Sequence, residues 1–372
     1  MEKFGWSGDL CEETAGARLI ASKSQIAGAG APWHEIQVYF CWCPMPPLLS
    51  RRLVVSLPVL MAGAGFPARA FAAASQDFGS WLEGVRREAI GAGIKPAAVD
   101  GALKGVQPIP KVLELDRKQP ERTLTFEEYI ARSISQARKE AARQRLAENR
   151  SVLDEVSRRY KVQPRFIVAL WGLETDFGRF MGGFSVIAAL ATLAYDGRRA
   201  EFFRRELINA LKIVDRDRVD PKQMLGSWAG AMGQTQFMPS SYLSYAVSYS
   251  GDGKRDIWNR REDALASIAN YLSHLGWRGD ETWGRDVRVP PNLDPSLVGH
   301  PQKRPLSEWR RLGVKRMDGG DLPAGELSAA LLQPSGPKGP SLLAYDNFRA
   351  IMKWNNSTYF AASVGYLADA ME

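Results

Sequence analysis

The sequence predicts a mainly α-helical protein with a small mixed α/β lobe near its C-terminal end. Three observations point there. Apolar residues recur three and four positions apart through most of residues 77–283, the period of a helix with one buried face. Residues 284–345 lose that period and hold frequent Gly and Pro with short β-like runs, Val287-Arg288-Val289-Pro290 and Ser341-Leu342-Leu343-Ala344. The chain has 372 residues, 45% of them hydrophobic, which is ample apolar material for a sizeable core.

Taken in order, Phe78, Trp81, Leu82 and Val85 share one face of a first helix, which Lys95-Pro96 is expected to close. Residues 108–124 bear prolines and read as irregular. One long charged helix is expected from Phe126 to Ala147, and another from Ser151 to Tyr160. Val162-Gln163-Pro164 opens a helix from Arg165 to Thr175 that is apolar almost all round, and hence buried. Further helices are expected over 186–194, 199–214, 239–248 and 261–275. The last runs over 345–354 and then 358–370. No internal repeat stands out.

The formal net charge of +8 suits an anionic partner: nucleic acid, an acidic membrane surface or a polyanionic wall polymer. No compact Lys/Arg run interleaved with aromatics argues for nucleic acid. The three cysteines, Cys11, Cys41 and Cys43, all lie in the first stretch with His34, which leaves only His274 and His300 downstream. That supply offers no zinc cluster and little for a Cys–His or Ser–His nucleophile system.

Residues 45–74 have the three parts of an export signal. Ser50-Arg51-Arg52 is positive, Leu53 to Phe66 is apolar, and Ala70-Phe71-Ala72-Ala73-Ala74 is small at the end. Pro and Gly interrupt the apolar run too often for a good membrane span; the competing reading is a buried core helix. Because such a signal belongs at a chain start, Met45 is the expected true initiator and residues 1–44 a mis-assigned extension. The exported chain would then begin near Ala73–Ser75, without cysteine, which argues against a lipoprotein anchor. It is expected to be soluble in the periplasm.

Three constellations carry possible chemistry. The first is Leu170-Trp171-Gly172-Leu173-Glu174-Thr175-Asp176-Phe177-Gly178. On a helix Glu174 shares its face with Ile167, Leu170 and Trp171. A carboxylate against an aromatic in an apolar wall loses hydration, which raises its pKa and suits it to general acid work. The alternative is a helix-terminal carboxylate reaching solvent or a salt bridge. Asp176, two residues on, points to another side and is a poor partner carboxylate. The second is the glycine-rich run from Gly226 to Tyr242. Ser227, Gln234 and Gln236 could donate to sugar hydroxyls, while Trp228 and Phe237 offer flat faces. Glycines that only permit close helix packing are the competing reading. The third, Ser248 to Asn259, is loosely like a calcium loop, with Ser250, Asp252 and Asp256 as candidate ligands. Serines stand where a calcium-binding loop wants carboxylates, so a turn is the plainer reading and no cofactor is expected.

Together these runs resemble the lytic murein transglycosylases of the B type (glycoside hydrolase family 103). The resemblance rests on Glu174-Thr175-Asp176-Phe177-Gly178, on the run from Gly230 to Tyr242, and on Asp252-Gly253-Lys254-Arg255-Asp256-Ile257-Trp258. Ala269-Asn270-Tyr271-Leu272 and Lys353-Trp354-Asn355-Asn356-Ser357 fit as well. It covers about residues 77–372. It implies a lysozyme-like α domain with an additional helical N-terminal part over 75–283, the small lobe over 284–345, and a C-terminal helix over 346–372 closing a sugar cleft. It also implies Glu174 as the single acid/base. The substrate-binding residues it implies are Ser227, Gln236, Tyr271, Asn355 and Tyr129, with aromatics at Trp354 and either Tyr359 or Phe360. The expected partner is the peptidoglycan glycan strand, with no nucleic acid, other cell-wall enzymes as candidate protein partners, and a monomeric chain. The expected reaction cuts between N-acetylmuramic acid and N-acetylglucosamine and leaves a 1,6-anhydromuramoyl end. A water-using muramidase and an inactive wall-binding scaffold are the alternatives.

Overall fold

The computed structural model describes residues 77–117 and 124–372. The expected extension over 1–44 and the export signal over 45–74 lie outside the described residues. Helix α1 (Phe78–Gly91) starts where Asp77 accepts the backbone N–H of Ser80 at 3.1 Å. The first helix closes at Gly91, before Lys95-Pro96 as expected, and Pro96 then opens α2 (Pro96–Leu103). A proline has the φ of a first helical residue and lacks only an N–H that would be unpaired there anyway. The same holds at Pro110, which opens α3 (Pro110–Arg117) inside a stretch read as irregular.

The single long helix expected over 126–147 is two, α4 (Phe126–Ser133) and α5 (Gln136–Glu148). The break carries no Gly or Pro. It is made by side-chain oxygens: Thr125 and Glu128 form a capping box at α4, and Ser135 accepts the N–H of Arg138 to start α5. The Arg138 guanidinium then donates to the carbonyl of Ser133 across the gap at 2.8 Å. After α6 (Arg150–Tyr160) comes α7 (Pro164–Thr175), with nine of its twelve residues buried, as its all-round apolar pattern predicted.

A two-residue strand β1 (Phe184–Ser185) leads into α8 (Val186–Asp196) and α9 (Ala200–Asp217), and pairs antiparallel with β2 (Leu225–Gly226). A single 3₁₀ turn, Gly233–Thr235, precedes α10 (Pro239–Tyr245). Helix α10 stops short of the expected Ser248, because Ala246 turns extended and the N–H of Val247 is taken by the Ser267 hydroxyl of α11 (Arg261–His274).

The lobe holds β3 (Gly284–Arg288), β4 (Lys303–Pro305), α12 (Leu306–Arg311), β5 (Lys315–Arg316), β6 (Ser328–Leu332) and β7 (Leu342–Ala344). Its sheet order is β4-β6-β7-β3-β5, with every neighbouring pair antiparallel. Helices α13 (Asp346–Trp354) and α14 (Thr358–Asp369) complete the fold.

Three apolar clusters hold these elements together. The N-terminal helices, α8 and α9 pack around Trp228, Met232 and Phe237. Helices α7, α11, α13 and α14 share a second cluster with Ala330, Leu332, Leu342 and Ala344 of the sheet. The alternate residues Ala329, Leu331 and Leu343 turn to the other face and join Val287, Leu306 and Trp309. Strands β6 and β7 are thus buried on both faces, the period-2 geometry of a strand serving two cores. The C-terminal end of α7, where Glu174 sits, lies between the first two clusters.

Candidate active site

Helix α7 ends in an unusual run of backbone. Asp176 (φ 49°), Phe177 (φ 61°) and Gly178 (φ 83°) are all left-handed. For the two residues with side chains this costs on the order of 1 kcal/mol each or more, and it persists only where surrounding contacts impose it. Those contacts are present. The Asp176 carboxylate pairs with Arg138 at 3.4 Å and with Arg179 at 3.1 Å. The Thr175 hydroxyl donates to the carbonyl of Gln234 at 3.0 Å and accepts the N–H of Gly178 at 3.0 Å. The Trp171 indole donates to the Gln234 side-chain oxygen at 3.0 Å, and the Gln234 amide donates to the carbonyl of Trp258 at 3.0 Å. A Cβ at Gly178 would lie 2.7 Å from that same Gln234 oxygen, so glycine is required by space as well as by φ. The end of α7 is in this way fixed onto the Gly233–Thr235 turn.

Glu174 is half-buried, while Ile167, Leu170 and Trp171 on the same helix are fully enclosed. Burial pushes its carboxyl up to about 7. Opposing that, the indole Nε1 of Trp354 donates to its Oε1 at 2.8 Å, which favours the charged form. The aromatic against the acid is therefore supplied by α13, whereas Trp171 is turned to Gln234. Trp354 stands in a wall of rings, 4.9 Å from Tyr271 and 5.3 Å from Phe237, and Tyr271 stacks on Tyr245 at 4.1 Å with 11° between planes. From the opposite side, α4 brings Tyr129 within the field of Glu174; burial holds that phenol protonated, and it is hydrogen-bonded to Ser133. Tyr359 packs on Tyr129 at 5.6 Å and on Phe126 at 5.2 Å, while Phe360 is a core residue, 4% exposed. Of the two aromatics left open by the sequence, Tyr359 is the one near the site.

Glu174, Tyr129, Tyr271 and Trp354 thus come together from α7, α4, α11 and α13. Gln236 and Ser227 meet at a second point. The Gln236 amide donates to the carbonyls of Met181 and Gly233 at 3.1 and 2.9 Å, and its left-handed φ of 50° turns the chain into Phe237. Ser227 is held by the 226–231 turn, where its hydroxyl accepts the N–H of Ala231 at 3.1 Å. Its own backbone nitrogen lies so near Gly182 that a Cβ there would come within 2.7 Å. Both residues therefore border the 181–182 loop. Asn355 follows Trp354 directly, is half-exposed, and ends α13 with its N–H on the carbonyl of Ile351.

Three expected sugar contacts are corrected. Phe237, like Trp228, lies in the core, 2% exposed, and offers no flat face to a ligand. Trp228 is fully enclosed among the α8–α9 cluster and offers no face. Gln234 is 7% exposed and its amide is committed at both ends to Trp171 and Trp258. Glycines beside them had suggested an open ligand wall; they serve close packing instead. Sequence reasoning also missed Arg138, a buried cation in a helix that reads as solvent-facing, and the direct bond from Trp354 to Glu174.

Among the described residues, neither Asp176 nor Asp252 is available as a second carboxylate. Asp176 is neutralised by its two arginines, and Asp252 by Arg260 at 2.6 Å. The Ser248–Asn259 loop does not fit a calcium ion either. Asp252 accepts from the Ser248 hydroxyl, the N–H of Lys254 and the Arg260 guanidinium, which together hold its carboxyl well below the usual range. Asp256 accepts the backbone N–H groups of Trp258 and Asn259, and Ser250 faces only Ser248. Among the described residues no three His, Cys, Asp or Glu converge as a metal site.

A family model described as the transglycosylase SLT domain matches residues 77–369, the stretch that contains every element above. The chain belongs to the transglycosylase SLT domain family. It is 37% identical over 230 residues to membrane-bound lytic murein transglycosylase B of Escherichia coli, covering 57% of this chain and 58% of that one. The chain thus spans less than two thirds of the length of that curated relative. In structure it is similar to SltB3 of Pseudomonas aeruginosa, solved in complex with NAG-anhNAM-pentapeptide, with a TM-score of 0.78 and 46% identity over 80% of each chain. It is also similar to the Escherichia coli lytic transglycosylase Slt35 in complex with calcium, with a TM-score of 0.67 and 30% identity over 78% of this chain and 92% of that one. The likeness extends over the mainly α architecture with a small sheet lobe that the sequence predicted for this chain. No helix among the described residues is long and apolar enough to cross a membrane.

Proposed function

We propose that this chain is a peptidoglycan lytic transglycosylase that cleaves the MurNAc-β-1,4-GlcNAc bond with Glu174 as its one acid/base. The observation that carries the reading is a lone carboxyl, pushed to about 7 by burial, held by one indole donor and bordered by aromatic rings. At that value both protonation states are populated near neutral pH, as a group that gives and then takes a proton requires. Protonated Glu174 donates to the glycosidic oxygen as the C1–O bond breaks. The carboxylate so formed accepts the proton of the muramoyl C6 hydroxyl, whose oxygen bonds to C1. The glycan supplies its own nucleophile, and a positioned internal group gains a large proximity advantage over water. An ordinary glycosidase would need a second aimed carboxylate, and Asp176 and Asp252 are both paired with arginines. The ring wall of Trp354, Tyr271 and Tyr245 suits the flat faces of sugars. Residues 45–74, read as an export signal, support action in the periplasm as a soluble chain.

Mass spectrometry of digested sacculi tests the reading. Product ends one water lighter than reducing ends are expected from the wild type, and none from Glu174→Gln, which should still bind sacculi. Reducing ends would make the chain a muramidase, and undiminished cleavage by the variant would remove Glu174 from the chemistry.

A further inference from the structure

Of the two histidines among the described residues, His300 stands where the lobe meets the helices that frame Glu174, outside the contacts of the acid itself. Its segment is fixed to the sheet: Val298 bridges Leu331 of β6, and the N–H of Gly299 donates to the Leu331 carbonyl at 2.8 Å. From that edge His300 reaches both C-terminal helices. Its carbonyl accepts the Arg349 guanidinium of α13 at 2.6 Å, and its ring lies 6.1 Å from that of Phe348 on the same helix. Its Nε2 shares a hydrogen bond of 3.0 Å with the hydroxyl of Thr358, the first residue of α14. Burial, with Arg349 beside it, pushes the pKa of the imidazole down, so the ring meets Thr358 as a neutral partner.

The two attachments lie on either side of one short turn. Asn355, Asn356 and Ser357 alone separate α13 from α14, and the N–H of Ser357 closes the turn on the carbonyl of Asn355 at 2.7 Å. Trp354, whose indole donates to Glu174 at 2.8 Å, is the residue that enters the turn. Tyr359, which packs on Tyr129, comes directly after Thr358. A segment this short, clamped at both ends, has little room to shift, so the clamp sets where the indole points.

We propose that His300 is a positioning residue: by bonding Arg349 and Thr358 it holds the 355–357 turn so that the Trp354 indole meets the Glu174 carboxylate. The proposal rests on the acid/base reading of Glu174 for the use made of the proton, whereas the hold on the indole can be measured without substrate. It also gives the lobe a share in the site, since the histidine is carried at the sheet edge and not on the helices it joins.

The Glu174 carboxyl can be titrated by carbon-13 NMR of the whole protein labelled at glutamate, its signal assigned by its loss in Glu174→Gln. Thr358→Val keeps the shape of the side chain and removes its hydroxyl. A weaker indole bond favours the carboxylate less, so this variant should raise the midpoint by about 0.5 pH units. Trp354→Phe should raise it further. Adding Thr358→Val to Trp354→Phe should then change nothing more, because the hydroxyl acts through the indole. Thr358→Ser restores the hydroxyl and should restore the wild-type midpoint, and His300→Ala should repeat the rise from the other side of the bond. A bond that only supports the fold would lower the melting temperature and leave the midpoint alone. An unmoved or lowered midpoint in Thr358→Val and His300→Ala would overturn the positioning. So would a rise that persists on top of Trp354→Phe, or a Thr358→Ser variant that titrates like Thr358→Val. Should the midpoints move as expected in a protein that cuts no glycan, the positioning would stand and the cleavage reading would fall; cleavage with unmoved midpoints would mean the reverse.

Discussion

At Glu174 two influences act against each other: burial raises the carboxyl and the Trp354 indole pulls it back. The consequences for pH have definite signs. A carboxyl whose folded value of about 7 exceeds its ordinary 4.5 contributes stability that is full below about 4.5 and is lost as pH rises through about 7. Glu174→Gln, which cannot ionise, should therefore match the wild type at pH 4 and exceed it by about 3 kcal/mol at pH 8, read from urea unfolding at both values. A variant no more stable at pH 8 would mean that the carboxyl is well solvated. Activity should follow the same proton, with kcat/KM falling above about pH 7. Trp354→Phe removes the donor that favours the carboxylate, so its alkaline limb should move to higher pH while kcat drops severalfold; an unshifted limb would deny the indole any hold on the proton. This residue-scale pairing was only half legible. The spacing of Ile167, Leu170 and Trp171 pointed to a desolvated Glu174, but no local pattern could show that an indole 180 positions away supplies the bond.

Elements were legible where their pattern was apolar and obscure where side-chain oxygens made the boundary. Helix α7 emerged as expected because nine buried residues leave few alternatives. The split between α4 and α5 did not, since Thr125, Ser135 and Arg138 create it with hydrogen bonds rather than with Gly or Pro. That split has a purpose visible in the fold: it frees Arg138 to reach Asp176 and so helps hold the left-handed exit of α7. Arg138→Leu should leave Asp176 buried with Arg179 as its remaining cation. Losing one partner of a buried pair costs about 3 kcal/mol, and activity should fall with stability because Glu174 sits two residues before Asp176. A thermal melt and a turnover assay on the same preparation decide this; an unaffected variant would show that the exit is held elsewhere. The Ser248–Asn259 loop gives a complementary expectation. Arg260 occupies the Asp252 carboxylate, so calcium or a chelator should leave the wild-type melting temperature unmoved. A calcium-dependent rise would mean that the guanidinium gives way to the ion.

Across the whole molecule, the lobe is less separate than its Gly- and Pro-rich sequence suggests. Ala330, Leu332, Leu342 and Ala344 belong to the cluster of α7 and α14, while Leu331 and Leu343 face the lobe's own core. The uninterrupted apolar run Leu342-Leu343-Ala344 carried that information, because a strand buried on both faces does not alternate with polar residues. It was legible as a strand, yet not as a joint between two cores. Trp283 strengthens the joint: it donates to Asp369 of α14 at 2.9 Å, and its ring lies where a Cβ on Gly365 would come within 2.2 Å. The sheet and helices should therefore unfold as one unit, with helical circular dichroism and tryptophan fluorescence falling together. Leu342→Ala and Leu343→Ala each empty a fully enclosed leucine site, at a cost of about 3 kcal/mol apiece. Both should lower the one midpoint, although Leu343 faces only the lobe. If Leu343→Ala instead produced an early fluorescence transition with the helices still intact, the sheet would be a domain of its own. Its second face could then no longer be counted among the supports that keep α7, and with it Glu174, in place.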